Sequence, residues 1–464
     1  MYKYIPYPMQ AALGPLSLLI LMVGSLGVRT AAGAEGALLW QDQFDGAAEF
    51  SLEKSLDRAN AVAVQGERVF TAGFVDNMHS SRDFTVRAYD AGTGELLWQD
   101  QFDGTAGGFD EAKAIAVQGE QVFAVGTVTN LGSFADFTVR AYAAGTGELL
   151  WQDQLDGTAG GFDEARAIVV QGEQVFTAGT VTNFDSGSDF TVRAYNAGTG
   201  KLLWQNQFDG TVEFSLDRVN FDRANALTVQ GERVFAVGVV RDDGFAYEGS
   251  FTLRTYAAET GELLWQDQFA GTAGGFNEAS AVAAQGQRVF AVGTIDGKFT
   301  VRAYDLEMGE LLWQNLFAGV SGSVGGANAL AVQGERVFAA GVIGKMTDDL
   351  DYKGNFTVGA YAAETGDLLW QDQLAGRAGG FDAVSAVTVQ GDKVFAVGII
   401  DRRFTVRTYA AETGELLWQD RFAGTARGGY ASAVTVQEER VFAAGEVDNA
   451  DSGKDFTVRA YQLR

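Results

Sequence analysis

Short runs in which apolar and polar residues alternate recur along the chain and predict β-strands. No stretch after residue 35 sustains the 3.6-residue period of an amphipathic helix, so we expect an all-β domain. Gly and Asp or Asn turn residues separate the runs. The first repeat contains four of them: Ala59 to Val64, Arg68 to Gly73, Phe84 to Tyr89 and Leu96 to Phe102.

One phrase, Leu-Leu-Trp-Gln, recurs eight times at intervals of 48 to 61 residues. Self-similarity near this period is typical of repeat proteins, in which each unit buries its faces against its neighbours. The phrase contains all eight tryptophans of the chain: Trp40, Trp98, Trp151, Trp204, Trp265, Trp313, Trp370 and Trp418.

Eight repeats of four antiparallel strands predict an eight-bladed β-propeller over residues 35–464. The domain begins with a tryptophan strand near Trp40 and ends with the third strand of a repeat, Phe456 to Tyr461. If the N-terminal strand pairs with the three C-terminal strands, it completes the eighth blade and removes both open edges. We therefore predict a ring closed by strand exchange between the termini.

The segment from Ala88 to Trp98 (AYDAGTGELLW) resembles the A-x-D-x-x-T-G-x-x-x-W tryptophan-docking motif of PQQ-like propeller repeats. The repeat as a whole is also similar to the bacterial β-propeller repeat of many exported proteins. The Thr-Gly pair recurs before five further tryptophans, and Met308 replaces the threonine before Trp313. The resemblance implies that all eight tryptophans are structural docking residues.

Residues 1–34 differ in composition from the rest of the chain. Lys3 and an uncharged, mostly apolar run from Leu16 to Val28 precede the small-residue triplet Ala32-Gly33-Ala34, which is typical of a secretory signal peptide. We predict cleavage after Ala34, which leaves a periplasmic or secreted protein without stable membrane insertion. An uncleaved membrane anchor is the alternative.

Charge and composition exclude several classes of function. The 464 residues include 34 Lys and Arg against 60 Asp and Glu, a formal net charge of −26, which argues against a nucleic-acid partner. The absence of cysteine excludes disulfides, thiolate metal sites and a cysteine nucleophile. The single histidine, His79, lies in a predicted loop and is typical of a solvated side chain. We expect a monomer.

Loop lengths predict one uniform face and one variable face of the ring. The spacing from the Phe-Thr phenylalanine to the next tryptophan is 14 in all seven continuous repeats, whereas two other connections vary in length. Strand alternation places both variable connections on the same face, where we expect a protein or glycan ligand to bind. Drift of loop length without function is the alternative. The candidate binding residues are Asp242, Asp243, Phe245, Tyr247, Asp348, Asp349, Asp351 and Tyr352.

Two segments place oxygen-bearing side chains around a glycine turn, as calcium loops do. The candidate ligands are Asn183, Asp185 and Asp189 in one segment and Asn449, Asp451 and Asp455 in the other. Both lack the terminal glutamate of an EF-hand, and the same residue types form ordinary hairpin turns. The sequence favours the turn and predicts no cofactor, with calcium as the alternative.

The resemblance raises two catalytic alternatives. In quinoprotein dehydrogenases the quinone is typically clamped between a tryptophan and a vicinal cysteine pair, but this chain has no cysteine and no tryptophan outside the docking position. The acids Asp110-Glu111 and Asp163-Glu164, with Asn277-Glu278, are expected at the mouth of the central channel, where paired carboxylates can support hydrolysis. Near-identical copies in several blades favour a solvated or fold-supporting role instead.

The repeated arginine of the third strand is predicted to be structural, stacking on a tryptophan or pairing with an acidic residue between blades. The prediction for the whole chain is thus an exported, non-catalytic propeller that acts as a binding or scaffold module through its variable face. The alternatives are a quinoprotein-type oxidoreductase or a hydrolase with its site at the channel mouth, and a purely structural repeat protein.

Overall fold

The computed structural model describes residues 36–46, 55–77, 81–210, 222–241, 249–272, 276–317, 323–346, 352–377 and 380–463. Their regular structure is entirely β-strand. In chain order the strands are β1 (Leu38–Phe44), β2 (Ser55–Leu56), β3 (Arg58–Gln65), β4 (Arg68–Asn77), β5 (Ser81–Asp90), β6 (Leu96–Phe102), β7 (Glu111–Gln118), β8 (Gln121–Val128), β9 (Asp136–Ala143), β10 (Leu149–Leu155), β11 (Glu164–Gln171), β12 (Gln174–Asn183), β13 (Gly187–Asn196), β14 (Leu202–Phe208), β15 (Arg223–Gln230), β16 (Arg233–Val240), β17 (Ser250–Ala257), β18 (Leu263–Phe269), β19 (Glu278–Gln285), β20 (Arg288–Ile295), β21 (Lys298–Asp305), β22 (Leu311–Phe317), β23 (Ser323–Gln333), β24 (Arg336–Met346), β25 (Tyr352–Ala362), β26 (Leu368–Leu374), β27 (Ala383–Gln390), β28 (Lys393–Ile400), β29 (Arg403–Ala410), β30 (Leu416–Phe422), β31 (Gly428–Gln437), β32 (Arg440–Asn449) and β33 (Gly453–Gln462).

These strands form the predicted eight-bladed propeller. Blades 1 to 7 are continuous in sequence, from β3–β6 through β27–β30, with the first strand of each innermost and the tryptophan strand outermost. The innermost strands contact one another in the order β3, β7, β11, β15, β19, β23, β27, β31 and then β3 again, which closes the ring around a central channel.

Blade 8 is completed by both ends of the chain, as predicted. Strand β1 pairs with β33 in antiparallel register, with Leu38 opposite Tyr461 and Phe44 opposite Phe456. The short strand β2, which the sequence pattern did not reveal, adds a parallel contact between Ser55 and Gly453. The terminal segments therefore clasp blade 8 at two places.

A ring of glutamine side chains connects the turns between first and second strands, each of which is two residues long. The last glutamine of each inner strand donates a hydrogen bond to a backbone carbonyl in the equivalent turn of the next blade, as Gln65 does to Gly119. The series runs through all eight blades and ends with Gln437 donating to Gly66 at 2.8 Å. A longer turn would break this chain of bonds at the seam between blades.

The eight tryptophans occupy the docking position between blades, as the resemblance implies. Seven donate an indole hydrogen bond to a carbonyl of the following blade, for example Trp98 Nε1 to Ala144 O at 3.0 Å. Each ring also packs on a glycine held at positive φ, and any side chain there would collide with the indole. At the seam, Trp418 packs on Gly36, so the N-terminal segment supplies the eighth docking surface.

The third-strand arginines are structural, but they stack on phenylalanine rather than on tryptophan. Arg140, for example, lies 3.8 Å from the centroid of Phe102 and pairs with Asp100 of the preceding blade at 3.1 Å. Tyr142 donates to the same carboxylate at 2.9 Å. The prediction of acidic partners between blades is therefore confirmed, and the stacking on tryptophan was wrong because the indole faces its docking glycine instead.

Candidate binding face

The two variable connections share one face of the ring, called here the upper face. They are the hairpins between second and third strands and the links from one blade to the next. In blade 2, Thr105 N and Oγ1 both donate to Asn130 Oδ1 at 3.1 Å, and Leu131 N donates to Thr105 Oγ1 at 2.9 Å. These hydrogen bonds join the link between blades to the hairpin, so the two kinds of loop stabilise each other.

Large apolar side chains encircle the channel on this face. Each lies immediately before an inner strand or its first buried residue, and between 42% and 62% of its surface is exposed. Single exposed apolar residues are ordinary, but five at equivalent positions of one face form a patterned apolar surface. We call this set the crown: Leu56, Phe109, Phe162, Phe276 and Phe381.

A buried polar residue follows each crown residue and fixes it in place. Asp110 is fully buried, accepting from Gly104 N at 2.5 Å through Oδ2 and from Thr129 N at 2.6 Å through Oδ1. Since this carboxylate is held inside the loop, the preceding side chain of Phe109 is directed outward. The same pin recurs at Asp57, Asp163, Asp222 and Asp382, with Asn277 in blade 5.

Burial raises the pKa of Asp110 and Asp163 to about 6 and that of Asp57 and Asp222 to about 7, although backbone N–H donors favour their charged forms. Asp110 and Asp163 are therefore fold-supporting, as the copy number indicated, but they do not lie open at the channel mouth as we expected. The sequence could not distinguish them from the adjacent glutamates, which do line the wall.

The channel wall is charged on one side only. Lys113 Nζ lies 2.7 Å from Glu111 Oε2 and 3.3 Å from Glu164 Oε1, and Arg166 pairs with Glu164. At the position equivalent to Glu111, blades 6 to 8 carry Gly326, Ala383 and Tyr430. The glutamates that were candidates for hydrolysis are thus paired with basic neighbours, which is unlike a free acid and base pair.

The calcium candidates lie in two hairpin turns of the upper face. Asn183 Nδ2 donates to Asp189 Oδ2 at 2.9 Å, and Asn449 Nδ2 donates to Asp455 Oδ2 at 2.6 Å. Asp185 and Asp451 are exposed at the turns. These bonds are the expected feature of the turn, and calcium binding stays a prediction. The described residues contain no group of three or more His, Cys, Asp or Glu arranged to hold a metal ion.

The structure adds a neighbour that the sequence analysis missed. Phe190 pairs with Phe208, and Asp189 and Asp209 are the next residues beyond that pair. Burial raises the pKa of Asp189, and the negative charge of Asp209 acts in the same direction, so the two carboxylates are close enough to repel. The equivalent carboxylates interact in four consecutive blades: Asp45 with Asp455, Asp83 with Asp103, Asp136 with Asp156, and Asp189 with Asp209. A constant spacing of 20 residues within three of these repeats was the available signal.

Several predicted residues lie outside the described part of the chain. They are residues 1–34, His79 and seven of the eight candidate loop residues: Asp242, Asp243, Phe245, Tyr247, Asp348, Asp349 and Asp351. The eighth, Tyr352, begins strand β25. The crown lies on the described part of the variable face, and the loop lengths alone did not predict it.

Comparisons with known proteins agree with this architecture. The family model described as "Outer membrane protein assembly factor BamB" matches residues 24–239, 135–348 and 354–462. The chain belongs to this family. No curated protein matches the chain in a sequence comparison. Among the described residues there is no helix of the length and apolar character needed to cross a membrane.

Solved structures share the fold at low sequence identity. BamB from Moraxella catarrhalis is 15% identical, with a TM-score of 0.51 over 89% of this chain and 99% of that chain. Quinohemoprotein alcohol dehydrogenase ADHIIG from Pseudomonas putida HK5 is 15% identical, with a TM-score of 0.58 over 92% of this chain and 76% of that chain. Saccharomyces cerevisiae Sqt1 is 12% identical, with a TM-score of 0.60 over 93% and 100%. Since one fold serves an assembly factor and a dehydrogenase, function must be argued from the site.

Proposed function

We propose that the chain is an exported, non-catalytic propeller that binds a protein partner on the crown of its upper face. The crown is the observation that carries this proposal, because it presents exposed aromatic side chains on a rigid framework. Aromatic residues contribute most of the energy in many protein interfaces, and anchors that are already ordered lose little entropy on binding.

The breadth of the crown supports a protein rather than a glycan. Its members come from five blades around the channel, whereas a sugar ring stacks on one or two aromatic residues in a local cleft. Membership of the BamB family is consistent with a protein-binding propeller. The tryptophans are engaged in docking and the channel carboxylates in ion pairs, so neither set is available as a catalytic group.

Export fits the same scheme. The first described residue, Gly36, already packs on Trp418, and its backbone N–H donates to Gln462 O at 2.8 Å. Cleavage after Ala34 would therefore keep the contacts that close the ring. N-terminal sequencing of the mature protein tests this directly, and a retained N-terminus would favour the membrane anchor.

Photo-crosslinking in the producing organism tests the binding face. A photoreactive phenylalanine analogue at position 109 should give an adduct with a discrete protein, whereas the same analogue at position 97 should not. Leu97 is the matched control because it is also an exposed apolar residue, but on an outer strand of blade 1. Equal yields of adduct at positions 109 and 97 would contradict the proposal that the partner binds the crown.

A second comparison uses triple variants. Phe109→Ser, Phe162→Ser and Phe381→Ser together should abolish capture of that partner, while Leu97→Ser, Leu150→Ser and Leu264→Ser should leave it unchanged. Oxidation of an alcohol by the purified chain after addition of PQQ and calcium would contradict the non-catalytic part of the proposal.

A further inference from the structure

A cleft of about 700 Å³ opens on the upper face between blades 6 and 7. Three arginines line it, from three different elements: Arg377 in the link between the blades, Arg403 at the start of β29 and Arg421 on the outer strand β30. One carboxylate, Asp401, also lines it and lies 3.3 Å from Arg421. Positive charge thus gathers at one point of a chain whose formal net charge is −26.

None of the three arginines belongs to the repeat pattern. The position of Arg377 is held by threonine in several other links, such as Thr105 and Thr158. The position of Arg421 is glutamine in six other blades and leucine in one. The position of Arg403 is aspartate in blades 8, 1, 2 and 3 and is basic in one other blade, at Lys298. Among the described residues, only in blade 7 does a basic residue at this position meet two further arginines in one cleft.

The local backbone and electrostatics also depart from the pattern. Blade 5 has the same two-residue hairpin as blade 7, with Gly297 at φ 70°, but blade 7 places Arg402 there at φ 61°. A non-glycine residue in this region is strained, and such strain is commonly retained at functional sites. Burial lowers the pKa of Arg421, and the nearby positive charges of Arg407 and Arg403 act in the same direction, opposed by Asp401 and Asp382. Arg403 and Arg421 therefore lie close enough to repel each other, a cost that a bound anion would reduce.

We propose that this cleft binds the phosphate group of a small, soluble phosphate monoester. A phosphate monoester carries about −1.5 to −2 charges at pH 7, and the three guanidinium groups outnumber the two nearby carboxylates, Asp401 and Asp382. Guanidinium forks bind phosphate oxygens in pairs, with more directional hydrogen bonds than lysine offers. The cleft is much larger than the phosphate group alone, so the rest of the ligand can also be accommodated. This site is separate from the crown and does not depend on a protein partner.

The test variant replaces each arginine by a residue that another blade uses at the same position. Arg377→Thr follows Thr105, Arg403→Ser follows Ser250, and Arg421→Gln follows Gln373. The control variant carries the same change in total charge on the opposite face: Arg68→Gln, Arg288→Gln and Arg440→Gln. Glutamine is chosen because blades 2 and 3 have it at the equivalent position, as Gln121 and Gln174. Circular dichroism checks that both variants fold, and Arg421→Gln alone serves if the triple variant does not.

Isothermal titration of the full chain at low ionic strength measures binding of glucose 6-phosphate and of inorganic phosphate. We expect glucose 6-phosphate to bind more tightly than inorganic phosphate. The cleft variant should weaken its binding at least about tenfold, and the control by less than about twofold. The absence of binding to the wild-type chain, or equal weakening in both variants, would overturn the proposal. Sedimentation with phosphatidic acid vesicles distinguishes a soluble phosphate monoester from a lipid headgroup. If the chain bound the vesicles through these arginines but did not bind glucose 6-phosphate, the proposal of a soluble ligand would be contradicted.

Discussion

The seam of the ring offers a direct measurement of what one docking hydrogen bond contributes. Trp370 Nε1 donates to Ala411 O at 3.0 Å, and its ring packs on Gly414. Trp418 packs on Gly36 in the same way, but its Nε1 is buried without a partner among the described residues. The equivalent carbonyl, that of Leu463, accepts from Gln462 Nε2 at 2.8 Å instead.

Replacing each tryptophan by phenylalanine removes a similar area of indole, but only Trp370→Phe leaves a buried carbonyl without its donor. That loss costs about 1–3 kcal/mol, whereas Trp418→Phe removes an unsatisfied donor. We therefore expect Trp370→Phe to reduce the free energy of unfolding by about 2 kcal/mol more than Trp418→Phe.

Urea titrations followed by far-UV circular dichroism measure this difference without relying on tryptophan fluorescence. For a denaturant dependence of about 3 kcal/mol/M, the two midpoints should differ by about 0.7 M. Equal midpoints, or a lower midpoint for Trp418→Phe, would refute the reasoning that the indole hydrogen bond stabilises the junctions between blades.

Two further predictions follow from the carboxylates of the upper face. The pKa of Asp110 in the folded chain, about 6, lies above its unfolded value of 3.8, so the folded state binds more protons between these values and stability falls as pH rises through them. The melting temperature should therefore be higher near pH 5 than near pH 8. The difference should be smaller in the Asp110→Asn variant than in the wild-type chain. A melting temperature that rises from pH 5 to pH 8 would contradict this. Calcium binding at the candidate hairpin turns predicts heat on titration that Asp185→Asn and Asp189→Asn each reduce. If calcium produced neither heat nor thermal stabilisation, these sites would be excluded.

The fold could be predicted from the sequence because each repeat contains the full pattern of a blade. Alternation within the runs defined the strands, and the displaced starting point near Trp40 indicated the exchange between termini. The parallel strand Ser55–Leu56 was missed because two residues carry no periodic signal. The glutamine ring was also missed, since its partners lie in neighbouring blades, 48 to 60 residues apart within the chain and 371 across the seam.

The candidate sites were less accessible, for a different reason. Loop length identified the variable face, but exposure of the crown depends on burial of the following residue, such as Asp110. The arginine cleft required the register of β29 and β30, because Arg403 and Arg421 are 18 residues apart and Arg377 lies in the link before this blade. Neither contact follows from local periodicity.

Negative charge on the upper face is concentrated in one half of the ring. The residue that leaves the outer strand is aspartate in blades 8, 1, 2 and 3 and alanine in the other four: Asp45, Asp103, Asp156 and Asp209 against Ala270, Ala318, Ala375 and Ala423. The arginine cleft lies in the half without these aspartates. The crown supplies similar apolar contacts around the ring, so by itself it would leave the rotation of a partner poorly defined. The unequal distribution of these aspartates would favour one rotation of a protein partner over the others and accelerate its docking at low salt. We therefore infer that the crown provides affinity, and that the unequal charges provide orientation.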